Sequence, residues 1–289
     1  MTLILRALSL TFAAASACGH AAADCQPQTR LNVAAIKQQV IVIGEVHGNA
    51  QTPAFVSGLV CSLLKDGRSV ILALERDGGE QLALNQYLVS EDKAADSWVL
   101  LAQPAWALPP QDGRSSAAVL ALIDDIRELR RAGQRVAVLA MQQSLRVDVM
   151  LQRQNEQQQR LSPTDEQLDN RLNDRTMADA LAAAALRYRG YTVVAVAGNQ
   201  HTATERGSWE TDLQFQPMGQ LLKAMVPTFF IGLKSEGGTS WNCRQVECAA
   251  HALIASPQYL PGSHIDAEVQ LGKLTASPPA ATGFRPAPE

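Results

Sequence analysis

Four short runs of branched apolar residues, each stopping abruptly at polar or ionisable ones, set the pattern of this chain. They predict strands over Gln39–Ile43, Ser69–Leu74, Arg135–Ala140 and Tyr191–Ala197. The runs are continuous rather than alternating, as expected of strands buried on both faces. Between them the apolar period lengthens to that of a helix. Phe55, Val56, Leu59, Val60, Leu63 and Leu64 give one face to a predicted helix over Pro53–Lys65, with Thr52 as N-cap, Pro53 at N1 and Asp66-Gly67 as its stop. Further helices are predicted over Ser116–Ala132, started by Ser115 or Ser116 and stopped by Gly133, and over Thr164–Arg189, stopped by Gly190. Alternating strands and helices imply an α/β domain with a mainly parallel central sheet flanked by helices. A small C-terminal strand and loop extension follows, with strands at Thr228–Leu233 and Ala249–Ala255 around Gly237-Gly238 and a Cys243–Cys248 loop. Ala102–Gly113, with three prolines, reads as a loop over a site; Arg153–Arg160 reads as an exposed polar helix or linker.

The strand ends carry the chemistry. Gly44 is followed by Glu45 and His47, Leu74 by Glu75-Arg76, and Ala197 by Gly198-Asn199-Gln200-His201. In extended backbone, side chains at i and i+2 point the same way, so Glu45 and His47 can share one pocket. Ligands of open parallel sheets bind beyond the carboxyl ends of the strands, where Glu45, His47, Glu75 and His201 all fall. Two carboxylates and two imidazoles suit either of two chemistries. They can hold a divalent metal ion that activates water, or a carboxylate can orient a histidine as general base. Gly44 and Gly198 permit sharp turns or close ligand approach, and Asn49 and Asn199 join them as ligand-binding candidates. Arg76 and Arg175 would bind an anionic group or neutralise the glutamates. His251 and His264 have no motif around them and read as structural. Gly-x-Ser-x-Gly, P-loop, Gly-x-Gly-x-x-Gly and His-Glu-x-x-His motifs are absent, which removes the main support for serine hydrolase, nucleotide-binding and zincin readings.

Composition narrows the class. The 289 residues suit a domain over 24–274, with a Pro/Ala-rich tail over 275–289 read as disordered. The formal net charge of −3, without a basic block, argues against nucleic acid, and no apolar stretch past the N-terminus would cross a bilayer. Residues 1–23 read as a signal peptide: Arg6 is the positive residue, Leu3–Ala17 the apolar region and Ala21-Ala22-Ala23 the cleavage site. A second reading makes Cys18 a lipid anchor; either way the protein is exported, to the periplasm or beyond. Cleavage leaves Cys25, Cys61, Cys243 and Cys248, an even count that suggests Cys25–Cys61 and Cys243–Cys248 disulfides.

Taken in order, these motifs resemble the superfamily of erythromycin esterase, ChaN-type haem-binding, TraB and Tiki proteins. The matching elements are Gly44-Glu45-Val46-His47, Leu74-Glu75, Arg175-Thr176-Met177-Ala178 and Gly198-Asn199-Gln200-His201, spanning about residues 38–220. Residues 44–49 and 197–201 are most similar to the ChaN-type branch, although Gly48 stands where that pattern has an acidic residue. The resemblance implies a small-molecule partner: haem or an iron-containing ligand, taken up at the strand-end cleft. Its other branches imply an esterase or metal-dependent peptidase built on Glu45, His47, Glu75 and His201. A third possibility is a binding module that keeps the motif for structure. A haem would need an apolar slot and an axial ligand; Tyr87, Tyr188, Tyr191 and Tyr259 are available, and core packing is the default reading for each.

Overall fold

A computed structural model describes residues 25–91, 93–142, 163–208, 210–244 and 247–281. The expected signal peptide, Cys18 and Arg153–Arg160 lie outside the described residues. Strand β1 (Val40–Glu45) leads through helix α1 (Gln51–Lys65) to β2 (Ser69–Asp77). Helices α2 (Gln81–Val89), α3 (Lys93–Leu101), the short α4 (Pro104–Ala107) and α5 (Ala117–Arg131) precede β3 (Val136–Gln142). Helix α6 (Pro163–Arg187) feeds β4 (Tyr191–Gly198), followed by α7 (Asn199–Thr202) and α8 (Met218–Met225). Strands β5 (Thr228–Arg244), β6 (Glu247–Pro257) and β7 (Ala267–Gln270) complete the order.

The sheet runs β3-β2-β4-β1-β5-β6, with β7 also paired to β5. All pairings are parallel except the β5–β6 hairpin. Every residue of β1 and β2 is buried, as their unbroken apolar runs require. One apolar layer packs α1, α2 and α5 through residues such as Leu59, Leu84 and Ile123; the other packs α6 and α8 through Met177, Leu181 and Leu222. Burying each such side chain is worth roughly 1.5–3 kcal/mol, enough collectively to hold polar strand ends between the layers. Both expected disulfides are present: Cys25–Cys61 ties the N-terminal segment to α1, and Cys243–Cys248 closes the hairpin tip.

Four expectations need correction. The predicted strands stop too early, because ladder pairing continues past the last apolar residue to Glu45, Asp77, Gln142 and Gly198. Helix α1 begins at Gln51 rather than Pro53, because Asn49 Oδ1 already accepts from Thr52 N at 2.7 Å. Gln81–Leu101, which has no predicted element, forms α2 and α3. The tail does not fall away at Thr275: Asn49 pairs with Ala276 and Ser116 with Pro279 in isolated bridges.

Candidate functional site

Three adjacent parallel strands, in the order β2-β4-β1, bring their carboxyl ends together. Glu45 ends β1 opposite Gly198 of β4, and Glu75 lies one residue past the Leu74–Val196 pair of β2 and β4. The chain then turns sharply after Glu45. Gln258 Oε1 accepts from Val46 N at 3.0 Å, Asn49 Nδ2 donates to Val46 O at 2.7 Å, and Gly48 adopts a φ of 80°. This turn swings His47 back so that its Nδ1 meets Glu45 Oε1 at 2.9 Å. Asn49 therefore shapes the turn and starts α1, while Asn199 opens α7.

Glu75 is the hub. Its Oε2 accepts from Gly198 N at 2.6 Å and faces His47 Nε2 at 3.3 Å. Its Oε1 meets Arg114 Nη1 at 3.0 Å, and His201 Nε2 stands 3.7 Å from it. His201 is oriented from behind by Asp174, whose Oδ2 lies 2.8 Å from Nδ1 and whose Oδ1 accepts from Met218 N at 2.7 Å. Two imidazole–carboxylate dyads thus converge on one buried carboxylate. The Glu75 side chain is 4% exposed, whereas those of His47, His201 and Arg114 are 24%, 23% and 37% exposed, so solvent meets the partners of the carboxylate more than the carboxylate itself.

The electrostatics follow from this packing. Burial disfavours a charged His47, but the Glu75 and Glu45 carboxylates outweigh it and raise its pKa to about 10. Burial likewise disfavours an ionised Glu75, yet His47, His201 and Arg114 hold its pKa well below the usual carboxylate range. His201 is raised against burial by Asp174 and Glu75. At neutral pH the centre is a carboxylate enclosed by an imidazolium and a guanidinium.

A cleft of about 330 Å³ opens beside this centre, floored by Glu75 and Arg114 and walled by Pro104, Leu108, Pro109 and Pro110. The proline-rich segment does lie over the site, with α4 inside it. Arg76 is buried but faces away from Glu75: Glu80 pairs with its Nη2 at 2.7 Å and Trp106 stacks on the guanidinium at 4.0 Å. Arg175 is exposed and pairs with Asp179 at 3.0 Å, so it does not join the cluster. Its neighbour Asp174 does, one residue and about 100° further round the helix. The sequence signal for Asp174 is a lone acid on the buried helical stripe Asp174, Met177, Ala178, Leu181. Arg114, the other missed member, sits in a single 3-10 turn, Gly113–Ser115, too short to leave a periodicity that would mark it. Gly44 lies against α7, where a Cβ would stand 2.3 Å from Thr202 Oγ1.

The four residues expected to hold a metal are ion-paired with one another or with Arg114 and Asp174. Among the described residues no group of three or more His, Cys, Asp or Glu side chains is arranged to hold a metal ion. Nor, among the described residues, does the cleft lining fit a haem: no Tyr, His, Cys or Met lines the 330 Å³ cleft. Tyr87 bonds Asp124, Tyr259 bonds Glu268, and Tyr188 packs edge-on against Tyr191.

No family model matches the chain, and no curated protein matches it. Solved structures do. An erythromycin esterase mutant (EreC) in its open conformation superposes with a TM-score of 0.55 at 13% identity, covering 75% of this chain and 76% of that one. A succinoglycan biosynthesis protein gives 0.54 at 15% identity over 76% and 72%. ChaN of Campylobacter jejuni, solved with haem bound cofacially, gives 0.37 at 16% identity over 68% and 82%, too low a score to mark a shared fold. The chain therefore has the fold of the erythromycin esterase, the fold its motifs imply.

Proposed function

We propose that this protein is an exported hydrolase that cleaves esters by proton transfer between the two imidazoles around Glu75. One observation carries the reading: two imidazole–carboxylate dyads meet a single carboxylate, at 3.3 Å and 3.7 Å, and that carboxylate lines an open cleft. The dyads are not equivalent in geometry. His47 has both ring nitrogens engaged by carboxylates and holds its proton to about 10, so it is the general acid. His201 has Nδ1 fixed by Asp174, while Nε2 is beyond hydrogen-bond reach of Glu75, so that nitrogen takes the proton of an attacking water. Attack on the ester carbonyl gives a tetrahedral oxyanion, which Arg114 is placed to stabilise. The C–O bond breaks as His47 protonates the departing alkoxide. His201 then releases its proton to solvent and His47 takes one up, which restores the resting state.

Two disulfides, which persist in oxidising compartments, support export. Among the described residues no helix is long and apolar enough to cross a membrane. The test is turnover of a panel of p-nitrophenyl esters by the purified full chain. His47→Ala, His201→Ala and Glu75→Gln should each lower kcat on the order of 10²-fold or more while remaining folded. Unchanged rates in all three would overturn the reading. So would an inactive wild type that gave a saturable Soret shift with haemin, lost in His47→Ala.

A further inference from the structure

The last described segment contains Ser277-Pro278-Pro279-Ala280. Proline has no backbone N–H, so this tetrapeptide has two main-chain donors, Ser277 and Ala280. Both are spent on loops of the site. Ser277 N donates to Gly48 O at 2.8 Å, and Ala280 N donates to Ser115 O at 2.9 Å. Gly48 is the residue after His47, and Ser115 is the residue after Arg114. The acceptors follow the same plan: Thr275 O takes Ala50 N at 2.9 Å, Pro278 O takes Ala117 N at 2.8 Å, and Ser277 Oγ takes Ala118 N at 2.9 Å. Beneath this segment the two loops already touch, since a Cβ on Gly113 would stand 2.1 Å from Gly48 N.

We propose that residues 275–281 are a strap that fixes the His47 turn against the Arg114 turn and so sets how both side chains meet Glu75. The bonds to Gly48 O and Ser115 O act through the backbone one residue beyond the imidazole and the guanidinium. Thr275 N and Ala276 N, which precede the tetrapeptide, donate to Gln51 Oε1 at 2.8 Å and Thr239 Oγ1 at 3.0 Å, so the two donors within the tetrapeptide are the ones that reach the site loops. Trp241 N supports the same point from the β5 side, donating to Gly48 O at 2.8 Å.

The proposal predicts effects from loss of one N–H at a time. Ser277→Pro removes the bond to Gly48 and Ala280→Pro the bond to Ser115, while Ser277→Ala keeps both and serves as control. The first readout is the set of ring N–H resonances of His47 in ¹⁵N-histidine-labelled full-length protein, assigned by their loss in His47→Ala. They should shift or broaden in both proline variants and stay at wild-type positions in Ser277→Ala. The second readout rests on the ester-hydrolase reading: kcat should fall on the order of 10- to 100-fold with KM within about twofold. If the wild type turns over no ester, that reading fails and the resonances alone decide the strap. A folded Ser277→Pro protein with wild-type His47 resonances would overturn it; if that variant does not fold, Ala280→Pro decides by the same criterion. If neither folds, the segment is a folding element and the proposal is likewise overturned.

Discussion

At Gly198 one added carbon would reach the middle of the charge cluster. Its φ and ψ of −54° and 144° suit any residue, so backbone freedom is not why glycine stands there. Space is the reason: a Cβ would lie 2.9 Å from His47 Nε2, 3.5 Å from Glu75 Oε2 and 3.6 Å from His201 Cδ2. Gly198→Ala should therefore act on the site without straining the chain. We expect kcat for ester hydrolysis to fall on the order of 10- to 100-fold, the cost of displacing a catalytic group by a fraction of an ångström to an ångström. The thermal midpoint should move little. An alanine variant with wild-type turnover would mean that His47 and Glu75 need not be held at their observed separation. Gly48 is constrained differently, by a positive φ and by Trp241 O, which a Cβ would meet at 1.9 Å. That contact accounts for glycine where the resembling branch has an acid.

The end of β2 shows what an element can hide from a sequence. Glu75, Arg76 and Asp77 stay inside a fully buried strand, and alternation sends Glu75 and Arg76 to different neighbours. Arg76 is satisfied by Glu80 on the next turn, by Trp106 of α4 and by Arg114 O at 2.6 Å. It thereby links the strand to the proline-rich wall of the cleft. Removing one partner of a buried ion pair leaves the other uncompensated, which costs about 3–5 kcal/mol. Glu80→Ala should lose that much in urea unfolding; a loss under about 1 kcal/mol would show that Arg76 finds water or another acceptor. The apolar runs made β1 to β4, helices α1, α5 and α6 and the sheet class legible, because burial on both faces leaves an unbroken pattern in the strands. The same pattern ends at Leu74 although the ladder continues, since paired charges look like loop residues in one dimension. Glu45, His47, Glu75 and His201 were legible because they sit where strands run out. Asp174 and Arg114 were not, because each is defined by a partner 27 and 39 residues away. The tail reads as disordered from its prolines, yet the backbone N–H groups of Thr275, Ala276, Ser277 and Ala280 are all paired.

On the scale of the whole molecule, the cluster ties stability to pH. His47 has a folded pKa of about 10 against an ordinary 6.5, so folding favours its protonated form. That contribution is complete below pH 6.5 and is lost as pH climbs from 6.5 toward 10. Glu75 is held below its ordinary 4.5, so its contribution is complete above pH 4.5 and is lost as pH falls beneath that value. Asp112, lowered against burial by Arg114, and His201, raised against burial by Asp174, act in the same two directions. The His47–Glu75 attraction appears in both partners and is one interaction, so its two halves are not summed. Stability to urea should therefore peak between pH 4.5 and 6.5 and decline on either side, the alkaline limb by at most about 1.4 kcal/mol per pH unit for the His47 proton. Glu75→Gln separates this cause from the background titration of surface groups. With the central carboxylate gone, His47 keeps Glu45 alone, its pKa moves back toward 6.5, and the alkaline decline should begin at the same pH but end sooner. An alkaline limb identical in wild type and Glu75→Gln would show that the imidazolium is not held by Glu75, and the acid assignment of His47 would fall with it.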